Sequence, residues 1–100
     1  MKRHEYFVYI LTNYSKKVLY VGMTNNLARR LSEHIERFNS DSFTVKYRCS
    51  FLVFWEEYQY VREAIAREKE IKGWRRSKKE SLISEFNPEW KFLNNEIFEN

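Results

Sequence analysis

Apolar and polar positions along this chain fall into short, well-bounded blocks. Tyr6-Phe7-Val8-Tyr9-Ile10-Leu11 is rich in β-branched and aromatic side chains, the composition of a buried strand. The polar stretch Thr12-Asn13-Tyr14-Ser15 separates it from Val18-Leu19-Tyr20-Val21, so the two runs predict a β-hairpin. With the turn centred on Tyr14-Ser15, Tyr9 would lie opposite Tyr20. After Gly22, Thr24-Asn25-Asn26 supplies helix-capping side chains ahead of Leu27. Leu27, Leu31, Ile35 and Phe38 then recur at helical spacing, predicting an amphipathic helix of about three turns. Asn39-Ser40-Asp41-Ser42 breaks that pattern, and a third strand follows, strongest from Ser50 to Trp55. A second helix runs from about Val61 to Lys72 and is stopped by Gly73. A third runs from Ser77 to Phe86, opened by Ser77 and Glu80 as a capping box and closed before Asn87-Pro88. Beyond it, Trp90, Phe92, Leu93, Ile97 and Phe98 give the tail enough apolar surface to pack back on the rest.

The order β-β-α-β-α-α predicts a small α/β (α+β) fold, a three-stranded, largely antiparallel sheet flanked by helices. One hundred residues leave little room for a second core, so the reading is one domain over 1–100. Its core spans about 6–88, with a short aromatic tail at 89–100. Apolar residues at 43% and aromatics at 18% suffice for a packed interior and exclude a disordered chain. The single cysteine, Cys49, excludes an intramolecular disulfide and a Cys-rich zinc site, and its apolar surroundings predict a buried thiol. The first residues, MKRHEYFVYIL, are too short in apolar run and too aromatic for a signal peptide. No run approaches the length that crosses a bilayer, so no membrane partner is expected and the cytoplasm fits best.

Charge changes the picture more by place than by total. The net charge is +4, but residues 62–79 carry eight Lys and Arg against three Glu, while residues 80–100 carry five Glu against one Lys. A basic segment of this kind either attracts a phosphate backbone or is simply a solvated helix face.

The candidate chemistry lies in polar residues on apolar stripes. Arg30 and His34 fall four apart on one face of the first helix, between its apolar positions. They are either a snorkelling arginine and a satisfied boundary histidine, or functional groups. On the second helix the core face should run through Val61, Ala64 or Ile65, position 68 and Ile71, and position 68 is Glu. A carboxylate there pairs with a cation such as Lys72, rises in pKa, or binds a metal. Tyr9 and Tyr20 are unremarkable in isolation in a chain with seven tyrosines. Taken together, two hairpin tyrosines, Arg, His and a core-facing Glu could meet at one edge of the sheet. Tyr and His move protons, Arg holds phosphate and Glu holds Mg²⁺. The chain has no Gly-rich phosphate loop and no His/Cys zinc spacing.

In this setting the sequence resembles the GIY-YIG nuclease superfamily. Val8-Tyr9-Ile10 and Tyr20-Val21-Gly22 look like its paired signatures, and Asn26-Leu27 with Arg30 continues the match. Ala64-Ile65-Ala66-Arg67-Glu68-Lys69-Glu70-Ile71-Lys72 resembles the helix with its metal-binding glutamate. Lys72-Gly73-Trp74-Arg75-Arg76 and the short length look like the small stand-alone bacterial branch. The likeness covers residues 6 to about 88. It implies a metal-dependent endonuclease acting on nucleic acid, DNA first, with Tyr9, Tyr20, Arg30, His34 and Glu68 as the site. Glu68 would hold one Mg²⁺ or Mn²⁺, and Asn87 is matched to a distal active-site asparagine. Lys72, Arg75, Arg76, Lys78 and Lys79 would hold the flanking backbone. Three departures stand out: Val8 replaces the first Gly, Met23 replaces a lysine of some repair-type members, and no separate recognition domain is present. A non-catalytic binder of single-stranded or branched nucleic acid and a protein-interaction domain are the competing readings.

Overall fold

The structure is a computed structural model that describes residues 5–36 and 42–98. Three strands, β1 (Tyr6–Thr12), β2 (Leu19–Thr24) and β3 (Phe51–Tyr58), form one sheet in the order β2-β1-β3, with both pairings antiparallel. Helix α1 (Leu27–Glu36) follows β2, and α2 (Ser42–Tyr47) precedes β3. Helices α3 (Val61–Lys72), α4 (Arg76–Phe86) and α5 (Asn94–Phe98) complete the chain. The predicted fold class and the coarse element order are those observed.

Both faces of the sheet are covered, which explains why the strands read as apolar runs rather than as alternation. Val8, Ile10, Val21, Val53 and Phe54 join Ala64 and Ile71 of α3 and Ile83 of α4 in one core. Tyr9, Leu11 and Leu52 join Leu27 and Leu31 of α1, Cys49 and Leu93 in the other. Successive residues on a strand point to opposite faces, so β1 divides its side chains between the two. A register shift between Ile10 and Leu11 leaves Val53 as an extra residue between the Ile10–Phe54 and Leu11–Leu52 pairs. This bulge lets consecutive Val53 and Phe54 enter the same core.

Several local expectations are corrected. The hairpin register is displaced by two residues, so Leu11 faces Tyr20 and Tyr9 faces Gly22. The turn runs further than Ser15 because the Asn13 side chain accepts from the Lys17 and Val18 amides, and Lys16 takes φ 62°. A displacement of two keeps the side chains on their faces, so Tyr9 and Tyr20 become diagonal neighbours on one side. In α1 the buried positions are Leu27, Leu31 and His34, while Ile35 is 48% exposed. His34 falls seven residues after Leu27, almost two full turns, whereas Ile35 is rotated outward. Phe38 lies outside the described residues. The short helix α2 was not expected: Thr44 is buried, but Phe43, Val45 and Tyr47 are exposed, so no amphipathic stripe announces it. Strand β3 continues three residues past Trp55.

Helix ends also differ from the expected chemistry. Gly73 caps α3 with φ −81°, an ordinary right-handed conformation, so its freedom to adopt positive φ is not used. The capping box at Ser77 is absent. Helix α4 starts one residue earlier, at Arg76, with no side-chain cap. Glu80 accepts instead from Arg76 Nε at 2.9 Å, and the Ser77 carbonyl accepts from the Ser81 hydroxyl. At α1 the expectation holds: Asn26 Oδ1 accepts from the Arg29 amide and Thr24 Oγ1 from the Asn26 amide.

The tail does pack back. The Leu93 amide donates to the Leu52 carbonyl, and the Asn94 side chain accepts from the Leu52 amide and donates to the Ser50 carbonyl. Asn87 donates to the Val53 carbonyl. Together these fasten residues 87–94 along the outer edge of β3.

Candidate active site

The site is built on the sheet face that α1 covers. Tyr9 on β1 is 1% exposed, and Gly22 stands directly opposite it on β2. A Cβ on Gly22 would sit 2.5 Å from the Tyr9 hydroxyl oxygen and 3.0 Å from the Tyr20 ring. Glycine is therefore required here by close approach: the Tyr9 phenol fills the space that a side chain would take. Tyr20, two residues before Gly22, points to the same face and is half-buried.

Helix α1 supplies the rest. His34 is 3% exposed, and its Nε2 lies 3.1 Å from the Tyr9 hydroxyl, with the donor set by the imidazole's tautomer. The three rings form a cluster, with centroids 6.4 Å apart for Tyr9–Tyr20, 6.0 Å for Tyr9–His34 and 5.7 Å for Tyr20–His34. Arg30, one turn before His34, reaches the same phenol. Partial burial would lower its pKa, but hydrogen bonds to Glu33 and Tyr9 outweigh that and raise it, so the guanidinium is firmly charged. Its Nη1 donates to Glu33 Oε1 at 2.8 Å. The structure thus brings Tyr9, Tyr20, Arg30 and His34 together.

Glu68 comes from the other side. It stands on the sheet-facing stripe of α3, between Ala64 and Ile71, in the helix that packs over the opposite face of the sheet. Its side chain is 22% exposed and Lys72 Nζ lies 3.6 Å from Oε1, an ordinary helical ion pair. Asn87 is 6% exposed and its amide is fully used. It donates to the Val53 and Lys91 carbonyls and accepts from the Lys91 amide. In this arrangement Asn87 closes the chain after α4.

The basic residues divide by what they already hold. Arg76 donates to the carbonyls of Lys16 and Lys17, clamping the hairpin turn, and also pairs with Glu80. Lys78 Nζ lies 4.3 Å above the Trp74 ring, on which Arg67 also packs. Lys72 faces Glu68. Arg75 is exposed and Lys79 half-buried.

Two features were missed from sequence. Glu33 sits beside the site, three residues after Arg30, a spacing that is readable once Arg30 is known to face inward. The rings of Phe43 and Tyr47 continue outward from Tyr20, with centroids 6.0 Å apart for Tyr20–Phe43 and 4.8 Å for Phe43–Tyr47. Lys46 lies 5.3 Å over Tyr47. No sequence signal marked α2, so this series was not visible.

A sheet carrying two tyrosines on one face, the first of them opposite a glycine, with an arginine and a histidine on the next helix, defines a class. The GIY-YIG catalytic domain matches residues 5–81, and the chain belongs to that family. Within it the chain is similar to small proteins called UPF0213. One from Staphylococcus aureus is 38% identical over 80 residues, 80% of this chain and 95% of that protein. One from Bacillus pumilus is 33% identical over 85 residues, 85% of each chain. The solution structure of a UPF0213 protein from Bacillus halodurans superposes with a TM-score of 0.56 at 25% identity, covering 91% of this chain and 95% of that one. Among the described residues no helix is long and apolar enough to cross a membrane.

Proposed function

We propose that this protein hydrolyses phosphodiester bonds in nucleic acid, DNA in the first instance, as an endonuclease. The observation that carries the reading is the Tyr9–His34–Tyr20 cluster with the charged Arg30 one helical turn from His34. A phenol and an imidazole in contact can hold and pass a proton, and a charged guanidinium beside them suits a phosphate. Tyr20, directly or relayed through His34, takes the proton of the attacking water. An unperturbed tyrosine has a pKa of roughly 10, so this role needs the positive charge that Arg30 brings. Arg30 holds the non-bridging oxygens as negative charge develops on them. Tyr9, held by His34 and Arg30, orients the cluster.

Glu68 is the residue that would hold a divalent ion. Its donor chemistry fits Mg²⁺ or Mn²⁺: one half-buried carboxylate, an oxygen ligand, with a weak ion pair to Lys72 that a stronger cation can displace. Among the described residues no group of three or more His, Cys, Asp or Glu gathers, so water and substrate oxygens would complete the shell. Bound there, such an ion would supply positive charge to offset the negative charge that develops as the phosphodiester is cut.

The test is Glu68→Gln, assayed on duplex, single-stranded and branched substrates with Mg²⁺, Mn²⁺ or EDTA. Cleavage should fall by orders of magnitude, since a metal contributes several kcal/mol to the transition state. Binding should survive or tighten, and folding should be intact. Undiminished Mg²⁺-dependent cutting by the variant would remove Glu68 from the mechanism.

One observation favours a second reading, a module that grips nucleic acid without cutting it. The half-exposed Phe43 and Tyr47 with Lys46 form an aromatic, cationic surface on which bases can stack. Binding that persists in EDTA, with no cleavage under any metal, would select this reading.

A further inference from the structure

We propose that Glu33 is a positioning residue for the phosphate clamp and at the same time its internal competitor, a carboxylate that a substrate phosphate must displace from Arg30. The inference rests on the reading of Arg30 as the phosphate-binding group and names what regulates that group.

The geometry is specific. Arg30 and Glu33 lie three apart on α1, and Arg30 Nη1 donates to Glu33 Oε1 at 2.8 Å. Both side chains are largely covered, 19% and 21% exposed, so this pair is less solvated than the 3.9 Å contact that the exposed Arg29 makes with the other Glu33 oxygen. Arg29 is tethered in turn to Asn25. Glu33 therefore bridges two arginines, and it draws one of them along the helix toward the Tyr9 phenol.

Two consequences follow from charge and shape. A long arginine on a helix surface has many rotamers, and ordering it costs entropy that a fixed acceptor offsets in advance. Glu33 thus holds the guanidinium beside Tyr9 before any substrate arrives. Yet a carboxylate and a phosphate present the same paired oxygens to the same fork. A phosphate entering at Arg30 meets Glu33 as a like charge on the same donor, so binding is weakened in proportion. The bare charge count shows the size of the effect: Arg29, Arg30 and Glu33 sum to one positive charge, and without Glu33 to two. Glu33 would then discriminate between a lone phosphate and a polyanion. A single weak anion fails to displace it, while a nucleic-acid strand, anchored through further phosphates, succeeds.

Two substitutions separate the parts. Glu33→Gln keeps an acceptor at the same reach and removes the charge, so Arg30 stays in place while competition ends. Glu33→Ala removes both. The first measurement is affinity for a fluorescein-labelled 20-mer duplex and for inorganic phosphate, in EDTA. Glu33→Gln should bind both more tightly, by about tenfold at low salt, the order a single nearby charge gives in a partly covered site. The second is the ¹⁵N guanidinium spectrum of Arg30. Wild type and Glu33→Gln should show a resolved, slowly exchanging group, and Glu33→Ala an averaged one. The third is turnover: Glu33→Ala should fall about tenfold below Glu33→Gln in kcat, since both lack the competing charge and only the alanine variant misplaces the clamp. An unchanged affinity in Glu33→Gln, or an Arg30 spectrum in Glu33→Ala identical to wild type, would overturn the proposal. Arg30→Ala is the control for the underlying reading: if it binds and cuts like wild type, the phosphate clamp itself is misassigned, whatever Glu33 does.

Discussion

At the scale of single residues, the site depends on an absence. Gly22 leaves the space that the Tyr9 hydroxyl occupies, at 2.5 Å from where a Cβ would be. Gly22→Ala should therefore push the phenol off His34 and Arg30. The expected cost is about 1–3 kcal/mol of stability, as for other overpacked sites, with a disproportionate loss of cleavage. Thermal midpoint and cleavage rate on the same preparation check this, and a fully active Gly22→Ala would show that Tyr9 need not sit there. Tyr9→Phe asks the converse, since it keeps the ring and removes the bond to His34. It should cost about 1 kcal/mol, the usual net worth of a hydrogen bond, measured by denaturant unfolding. Spacing placed Arg30 and His34 on one face of a helix and both tyrosines in a hairpin but left their roles open, and it was the resemblance to the GIY-YIG family that singled the four out. The purpose of Gly22 could not be read, because a cross-strand approach depends on register. The expected register, Tyr9 against Tyr20, concealed it.

At the scale of elements, the position of α3 depends on a polar bracket. Arg67 donates to both oxygens of Glu56, at 3.0 and 3.1 Å, and Tyr58 donates to the same carboxylate at 2.9 Å. This ties the helix that carries Glu68 to the end of β3. Partial burial and then the Glu56 bond push the Tyr58 hydroxyl up to about 12, while the bond to Glu56 holds Arg67 well above its usual range despite partial burial. The sign of the pH effect follows. The folded state keeps the Tyr58 proton where the unfolded chain, near 10, would release it, so the contribution is complete below pH 10 and disappears as pH approaches 12. Wild type should lose thermal midpoint between these limits, and Tyr58→Phe should lose less over the same interval. Parallel curves would show that Tyr58 does not sense the carboxylate. The boundaries of α3 were legible because its apolar spacing and Gly73 agree. The bracket was not, since Glu56 and Arg67 are eleven apart in sequence and meet only through the sheet.

For the whole molecule, the charge pattern seen along the chain is not the pattern available to a partner. Several of the basic residues in 62–79 are committed: Arg67 to Glu56 and Glu70, Arg76 to the hairpin turn and Glu80, Lys72 to Glu68. Nucleic-acid binding should still weaken with salt, each phosphate contact adding roughly 0.9 to the log–log slope for duplex DNA. Arg75→Ala should lower that slope by about one contact, measured by anisotropy across a salt series, and an unchanged slope would place the binding face elsewhere. The tail was legible as apolar but not as a fastener, because Asn94 and Asn87 act through backbone groups of β3. Leu93→Ala should cost about 2–4 kcal/mol, as for other buried leucines, seen as a lower denaturant midpoint. That fastening also sets an order of events during synthesis. As the chain leaves the ribosome in sequence order, the outer edge of β3 is complete some thirty-five residues before Asn94 exists to cover it. Until then a nascent chain presents an open, apolar strand edge to its neighbours on the same message. A transcript truncated before Leu93 would leave that edge open for good, and its product would be recovered in aggregates.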